Sequence, residues 1–366
     1  MRRLLATIVV LLGCALPAHA APPPEVGLAA YIVADGRDGR VLAQHDADAP
    51  RAIASITKMM TVYLALRAGA LSKTYTVPVA ATRIGESSAG LRAGDRVTGR
   101  DLLEGLLVPS ANDAAETLAI GIDGSEDAFV DRMNRTARRL GMRDTAYRAP
   151  YGLDTPGQHS TAADQLILAR LLMRDGRVRS IAKLRSAVVD GRRLRSSNTL
   201  LGRYAGLDGV KTGHTGQAGW CLAASAKRSG RRIFVVGLGA ADEASRNREI
   251  AKLLDWGFAQ LHPVTAVLAG APAGTVPLPY GGTVDARVAT TLRLTLRPGE
   301  RLRLRYRVAS VHLPLAQGAP VGQVDVLVGS RVVASAPLVT SRAVAAPGLF
   351  DRLGWFADHL FDPFGF

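Results

Sequence analysis

The order in which this chain changes texture constrains its fold more than any other feature. Two short apolar runs, 30–34 and 41–44, flank Asp38-Gly39 and predict a β-hairpin. Helical periodicity then takes over, predicting helices at 55–67, 101–108, 111–120, 128–140 and 162–174, the second and third broken at Pro109. After Asp208 the pattern returns to β, with strands at 210–215, 219–227 and 232–239, and closes on a helix at 244–261. A helical block enclosed by strands from both ends of one segment predicts an α+β domain with an antiparallel sheet, over residues 28–262. Residues 263–343 then turn strongly toward strands (287–296, 301–311, 322–328 and 332–339), which predicts a separate small all-β sandwich domain.

The two ends of the chain carry their own signals. Met1-Arg2-Arg3, a short apolar run to Leu12 and the small-residue site Ala18-His19-Ala20 predict a secretory signal peptide over 1–20, followed by a Pro-rich linker at 21–27. A lipoprotein-type site at Cys14 is a weaker alternative. Export removes Cys14 and leaves Cys221 alone, so no intrachain disulfide is expected and the fold must stand on its core. At the other end, over 344–366, Leu349, Leu353, Phe356, Leu360 and Phe364 step along one helical face, widened by Phe350, Trp355 and Phe361. The stretch is too short to span a bilayer, so it predicts an amphipathic helix lying on a membrane surface, with packing back onto the β domain as the alternative. Asp351, Asp358 and Asp362 outnumber Arg352 there, so aromatic burial and not charge would have to drive that contact.

There are 46 Lys and Arg against 31 Asp and Glu, a formal charge of +15. An excess of that kind suits nucleic acid, an anionic envelope polymer or a membrane surface. Export argues against nucleic acid.

Three short motifs could carry chemistry. In Ser55-Ile56-Thr57-Lys58 the serine and lysine lie three residues apart, close enough on a helix for the amine to reach the hydroxyl. Such a lysine serves as a base only if burial or a neighbouring cation lowers its pKa. A second match, Ser180-Ile181-Ala182-Lys183, shows how little the pattern means alone. Ser110-Ala111-Asn112 follows Pro109, where Ser110 is equally well suited to cap a helix, and Ser196-Ser197-Asn198 repeats its spacing. Lys211-Thr212-Gly213-His214 places a glycine in a strand, which implies close approach to its backbone, and a substrate is the expected visitor.

The order of these motifs, S-x-x-K, S-x-N, K-T-G, matches the set used by penicillin-recognising enzymes. With Tyr151-Gly152-Leu153-Asp154-Thr155-Pro156-Gly157-Gln158-His159-Ser160-Thr161 and Asp208-Gly209-Val210-Lys211-Thr212-Gly213-His214-Thr215, the chain resembles the low-molecular-mass penicillin-binding D-alanyl-D-alanine carboxypeptidases, serine peptidase family S11. The resemblance implies a penicillin-recognising, β-lactamase-like α+β fold and hydrolysis of the terminal D-Ala–D-Ala bond of peptidoglycan stem pentapeptides, with β-lactams as acylating inhibitors. It implies Ser55 as nucleophile, Lys58 as base, Ser110 as proton relay and Asn112 as substrate and lysine positioner. Lys211 and Thr212 would hold the substrate carboxylate, Gly213 would lie beside it, and backbone N–H groups of Ser55 and His214 would form an oxyanion hole. No cofactor or metal is implied. The expected location is the periplasm, on the outer face of the inner membrane. Two positions depart from the family: Ser197 precedes Asn198 where a basic residue is common, with Arg195 as a possible substitute, and Tyr151 stands where some relatives have His. A β-lactamase would need a Glu-x-x-x-Asn element after Asn112, which is absent before Lys211. D,D-endopeptidase preference stays open, as do oligomeric state and a scaffold lacking catalysis.

Overall fold

The computed structural model of the chain describes residues 21–360, so the signal segment 1–20, with Cys14, and the tail positions Phe361 and Phe364 lie outside the described residues. The chain divides into two compact units, one built from Pro22–Ala259 and the other from Gln260 onward.

The first unit opens with the hairpin β1 (Ala30–Asp35) and β2 (Val41–His45). A 3-10 turn, Ala54–Thr57, leads into α1 (Lys58–Arg67), and a small antiparallel pair follows, β3 (Thr74–Thr76) with β4 (Arg96–Thr98). Next come α2 (Gly99–Leu107), α3 (Asn112–Asp123), α4 (Glu126–Arg139), α5 (Ala162–Leu172) and the short α6 (Gly176–Ala182). The hairpin β5 (Ser186–Val189) and β6 (Arg192–Arg195) precedes the long strands β7 (Leu207–Thr215), β8 (Gly219–Arg228) and β9 (Arg231–Ala240), and α7 (Glu243–Ala259) ends the unit. Several helices start on side-chain caps: Thr98, Ser125 and Thr161 each accept the backbone N–H three residues on.

The main sheet has the order β2-β1-β9-β8-β7, antiparallel throughout, so strands from both ends of the unit meet at the β1–β9 pair. Alternation along the strands gives it two apolar faces. Ile32, Ala34, Phe234 and Val236 turn toward the helical block and share one core with Ile56, Met59, Leu102 and Leu118. Val33 and Ile233 turn the other way, against Gly257 of α7, where an added Cβ would lie 3.1 and 3.0 Å from them. The sheet is thus sandwiched between α7 and the remaining helices.

The second unit is all-β before its last helix. A five-stranded sheet has the order β11-β12-β16-β15-β14, and a two-stranded sheet pairs β10 with β13. The strands are β10 (His262–Val267), β11 (Pro272–Pro277), β12 (Thr283–Val288), β13 (Leu292–Leu296), β14 (Leu302–Val308), β15 (Pro320–Val328) and β16 (Arg331–Thr340). Their inner faces share one core around Val276, Val284, Leu304, Val324 and Leu338. One sequence expectation changes here. The single predicted strand 287–296 is two strands in different sheets, separated at 289–291, because the chain crosses from one layer to the other at that point.

The last helix, α8 (Leu349–Leu360), divides its apolar residues between two directions. Trp355 meets the Tyr280 ring edge-on at 5.6 Å, with the Arg352 guanidinium over the same ring. Leu349, Phe350, Leu353 and Phe356 are exposed. Trp355 therefore packs back onto the β unit, and does not widen the outward face as the sequence pattern suggests.

Candidate active site

Ser55 does not lie on the α-helix that the sequence predicts for 55–67. It sits in the 3-10 turn just before α1. That change helps the chemistry, since residues three apart are eclipsed at three residues per turn. The Lys58 amine consequently rests 2.7 Å from the Ser55 hydroxyl.

Lys58 is completely buried and has two further contacts, Asn112 Oδ1 at 2.6 Å and the carbonyl of Tyr151 at 2.8 Å. Burial holds its pKa well below the usual lysine range; the Lys211 charge pushes the same way, against opposing pulls from Glu86 and Asp113. A neutral amine has two N–H donors and one lone pair. The two carbonyl oxygens can only accept, so they take both donors. Asn112 is oriented for this by its own Nδ2, which donates to Gly85 O at 2.9 Å. In the neutral form the one remaining lone pair would face Ser55, whose O–H would then donate into it, the arrangement a serine nucleophile requires.

The surrounding backbone fixes this geometry. Gly152 has φ +92°, and a Cβ there would stand 2.1 Å from Ala54 O, so this turn passes against the backbone beside Ser55. Ala54 itself has φ +48°, a costly conformation for a residue with a side chain. Asp154 ties the same loop to the end of β7: Thr215 Oγ1 donates to it at 2.7 Å and Gln217 N at 3.1 Å. Asp113 gathers the loop 85–91, accepting from Ser88 Oγ at 2.6 Å and from the N–H groups of Ala89, Gly90 and Leu91.

The K-T-G strand runs directly beside Ser55. A Cβ on Gly213 would lie 2.9 Å from Ile53 O, 3.0 Å from Ala54 Cβ and 3.1 Å from Ser55 N. The visitor requiring this glycine is therefore the turn that carries Ser55, a correction to the expectation of a substrate. Lys211 is buried and donates to Thr212 O at 2.8 Å; burial, with Arg246 nearby, lowers its pKa to about 7. The His214 side chain is exposed and its ring lies 4.2 Å from that of Trp220. Cys221 on the adjacent strand is fully buried, and burial raises its thiol to about 11, so it acts as a small apolar residue.

Ser110 is not a helix cap. It has φ +69°, and α3 begins only at Asn112, with Ala111 at the cap position and no side-chain cap bond. Among the described residues its hydroxyl has no hydrogen-bond partner, although Ser110 is nearly buried. Ser197, where relatives often have a basic residue, bonds to Thr212 Oγ1 at 2.7 Å. Arg195 lines a cavity with Arg185 and Arg203. The Tyr151 carbonyl, the 85–91 loop and Ser197 are the contacts that motif reading missed. Tyr151, next to the Gly152-Leu153-Asp154 stretch, and Ser197 carried a signal only as positions that depart from the family pattern.

The chain is similar to known proteins over most of its length. A family profile described as D-alanyl-D-alanine carboxypeptidase, Peptidase_S11, matches residues 17–242. The D-alanyl-D-alanine carboxypeptidase DacD of Salmonella typhimurium is 32% identical over 356 residues, covering 92% of this chain and 91% of that protein. Among solved structures, penicillin binding protein 5 from Haemophilus influenzae is 30% identical with a TM-score of 0.65, covering 89% of this chain and 100% of that one. Penicillin-Binding Protein D2 from Listeria monocytogenes in its ampicillin-bound form is 32% identical with a TM-score of 0.59, covering 65% of this chain and 100% of that one.

Proposed function

Because the chain belongs to the D-alanyl-D-alanine carboxypeptidase family S11, we propose that it removes the terminal D-alanine from peptidoglycan stem pentapeptides and is acylated by penicillins. One observation carries the reading: the buried Lys58 amine lies 2.7 Å from the Ser55 hydroxyl, is held there by the Asn112 and Tyr151 carbonyl oxygens, and has its pKa lowered by burial.

The reaction then follows from the geometry. Ser55 Oγ attacks the carbonyl carbon of the penultimate D-alanine and its proton passes to Lys58 Nζ. The carbonyl oxygen becomes an oxyanion, held by the N–H groups of Ser55 and His214. The Ser55 N–H lies at the start of its 3-10 turn, where no acceptor exists within the turn itself. Removing one such donor commonly costs about 3 kcal/mol of barrier lowering. As the C–N bond breaks, Lys58 returns its proton through the otherwise unpartnered Ser110 hydroxyl to the departing D-alanine amine. Lys211 and Thr212 hold the carboxylate of that D-alanine, and Asn112 orients both Lys58 and the substrate. Water then cleaves the Ser55 ester and releases the tetrapeptide.

The same reading places the protein in the periplasm, delivered by the segment 1–20. It would be held on the inner-membrane surface by α8, through the exposed Leu349, Phe350, Leu353 and Phe356. No described helix is long and apolar enough to cross a membrane. Mass spectrometry of a pentapeptide digest tests the activity. The wild type should release one D-alanine and leave tetrapeptide, and Ser55→Ala should leave the pentapeptide intact; intact pentapeptide with wild type would refute the assignment.

A further inference from the structure

Beyond β6, the chain builds a second concave site that the peptidase chemistry does not use. Arg185 precedes β5, Arg195 ends β6, and Arg203 lies in the loop that follows. The three line one cavity of about 150 Å³ together with Ser196, Asn198 and Thr199. No acidic residue lines it. Among the described residues, none of the three guanidinium groups has a carboxylate partner or a hydrogen bond to another group. One lining residue, Thr199, donates to the Glu243 carboxylate, which also pairs with Arg246.

A buried amide completes the wall. Asn198 is only 7% exposed, and its Oδ1 accepts from Leu200 N at 3.3 Å. Its Nδ2 makes no hydrogen bond within the described residues, and Asn198 is part of the cavity lining. Ser196 Oγ accepts from Asn198 N at 3.2 Å, which leaves its own O–H free to donate inward. The lining thus presents donors: three guanidinium forks, an amide N–H and a hydroxyl. The three arginines are exposed, and like charges gathered around one cavity repel. One occupant relieves this: an anion with several acceptor oxygens, which guanidinium forks recognise in matched pairs.

We propose that this cavity is a binding site for a compact oxyanion, a phosphate or carboxylate group, separate from the Ser55 centre. Ser196 and Asn198 flank Ser197, whose hydroxyl bonds Thr212 of β7. Phosphorylated envelope components and the free carboxylates of peptide chains both offer the required chemistry.

Calorimetric titration of the full chain with inorganic phosphate, and separately with acetate, tests the site. Wild type should bind phosphate, acetate or both, and the preferred ion identifies the source. The double variant Arg195→Gln/Arg203→Gln should bind about tenfold more weakly or worse, as expected for losing two charge-assisted partners. Arg331→Gln, an exposed arginine of the β unit, should leave binding unchanged and so report diffuse attraction to a basic protein. Ser55→Ala should bind like wild type, which keeps this site distinct from the proposed reaction. Acylation by a fluorescent penicillin should persist in the double variant and confirm its fold. Absence of binding by wild type, or equal weakening by Arg331→Gln, would overturn the proposal.

Discussion

Ser55-x-x-Lys58 and Ser180-x-x-Lys183 have the same spacing and opposite fates. Lys58 is buried beneath three polar contacts and drawn toward its neutral form. Lys183 is exposed, at the C-terminal cap of α6, and Ser180 Oγ donates to the Arg177 carbonyl at 2.6 Å, not to a lysine. The first pair lies on a 3-10 turn pressed between the Gly152 turn and the Gly213 strand; the second ends a surface helix. A serine becomes a nucleophile through its surroundings, and the motif only permits it.

The largest expected effect breaks this comparison most sharply. Lys58→Met should slow acylation by a fluorescent penicillin by roughly 10³-fold, the ordinary scale for losing a positioned base, whereas Lys183→Met should stay within about twofold, since its amine touches nothing of the site. Stopped-flow labelling measures both. Equal losses in the two variants would show that the motif, and not its burial, matters.

A glycine pair sharpens the same point. Gly213→Ala should push the Ser55 turn aside and cost about 10²-fold in acylation, the scale of a sub-ångström to ångström misplacement. Overpacking should also remove about 1–3 kcal/mol of stability. Gly216, three residues on, has open space around its Cβ direction and no positive φ, so Gly216→Ala should be close to silent. Acylation rates and thermal melting together check the pair.

Protonation separates the two units of the chain as well. In the first unit, burial, with help from Glu126, raises Glu116 to about 8. Its folded form keeps a proton that the unfolded chain releases near pH 4.5. Stability of this unit should therefore fall as pH rises from about 4.5 to about 8. Glu116→Gln should flatten that slope. In the β unit, burial alone would raise Asp325, yet hydrogen bonds from Ser335, Gln323, Arg305 and Arg307 outweigh it and hold it at about 2. That contribution is present above the ordinary aspartate range and is lost as pH falls toward 2. Calorimetric unfolding across pH should thus show opposite trends, with Asp325→Asn removing only the acid-side loss.

The smallest effect concerns Ser197. Ser197→Ala removes the Thr212 contact but leaves Lys58 and Ser55 untouched, so a severalfold rise in KM with nearly constant kcat is expected, the mark of lost substrate positioning. An equal fall in kcat would give Ser197 a part in the chemistry itself.

What could be read from the sequence follows physical lines. The sheet drawn from both ends of the first unit, the long helices and the three motifs were legible because periodicity and residue type encode them. The Tyr151 carbonyl was not, since any residue supplies a backbone acceptor. The loop 85–91 was hidden because its hold on Asn112 runs through main-chain atoms and Asp113. Strands β10 and β11 escaped notice because Pro263, Pro272, Pro277 and Gly274 dilute their alternation. The exchange of α for 3-10 geometry at Ser55 leaves no trace in composition.

The central claim is that Lys58, set by burial, activates Ser55 and no other serine. Peptide mapping of the protein after brief exposure to a fluorescent penicillin tests it most directly. The label should fall on the peptide containing Ser55 and vanish in Lys58→Met at the same exposure; label on the Ser110 or Ser180 peptide, or undiminished labelling without the Lys58 amine, would contradict it.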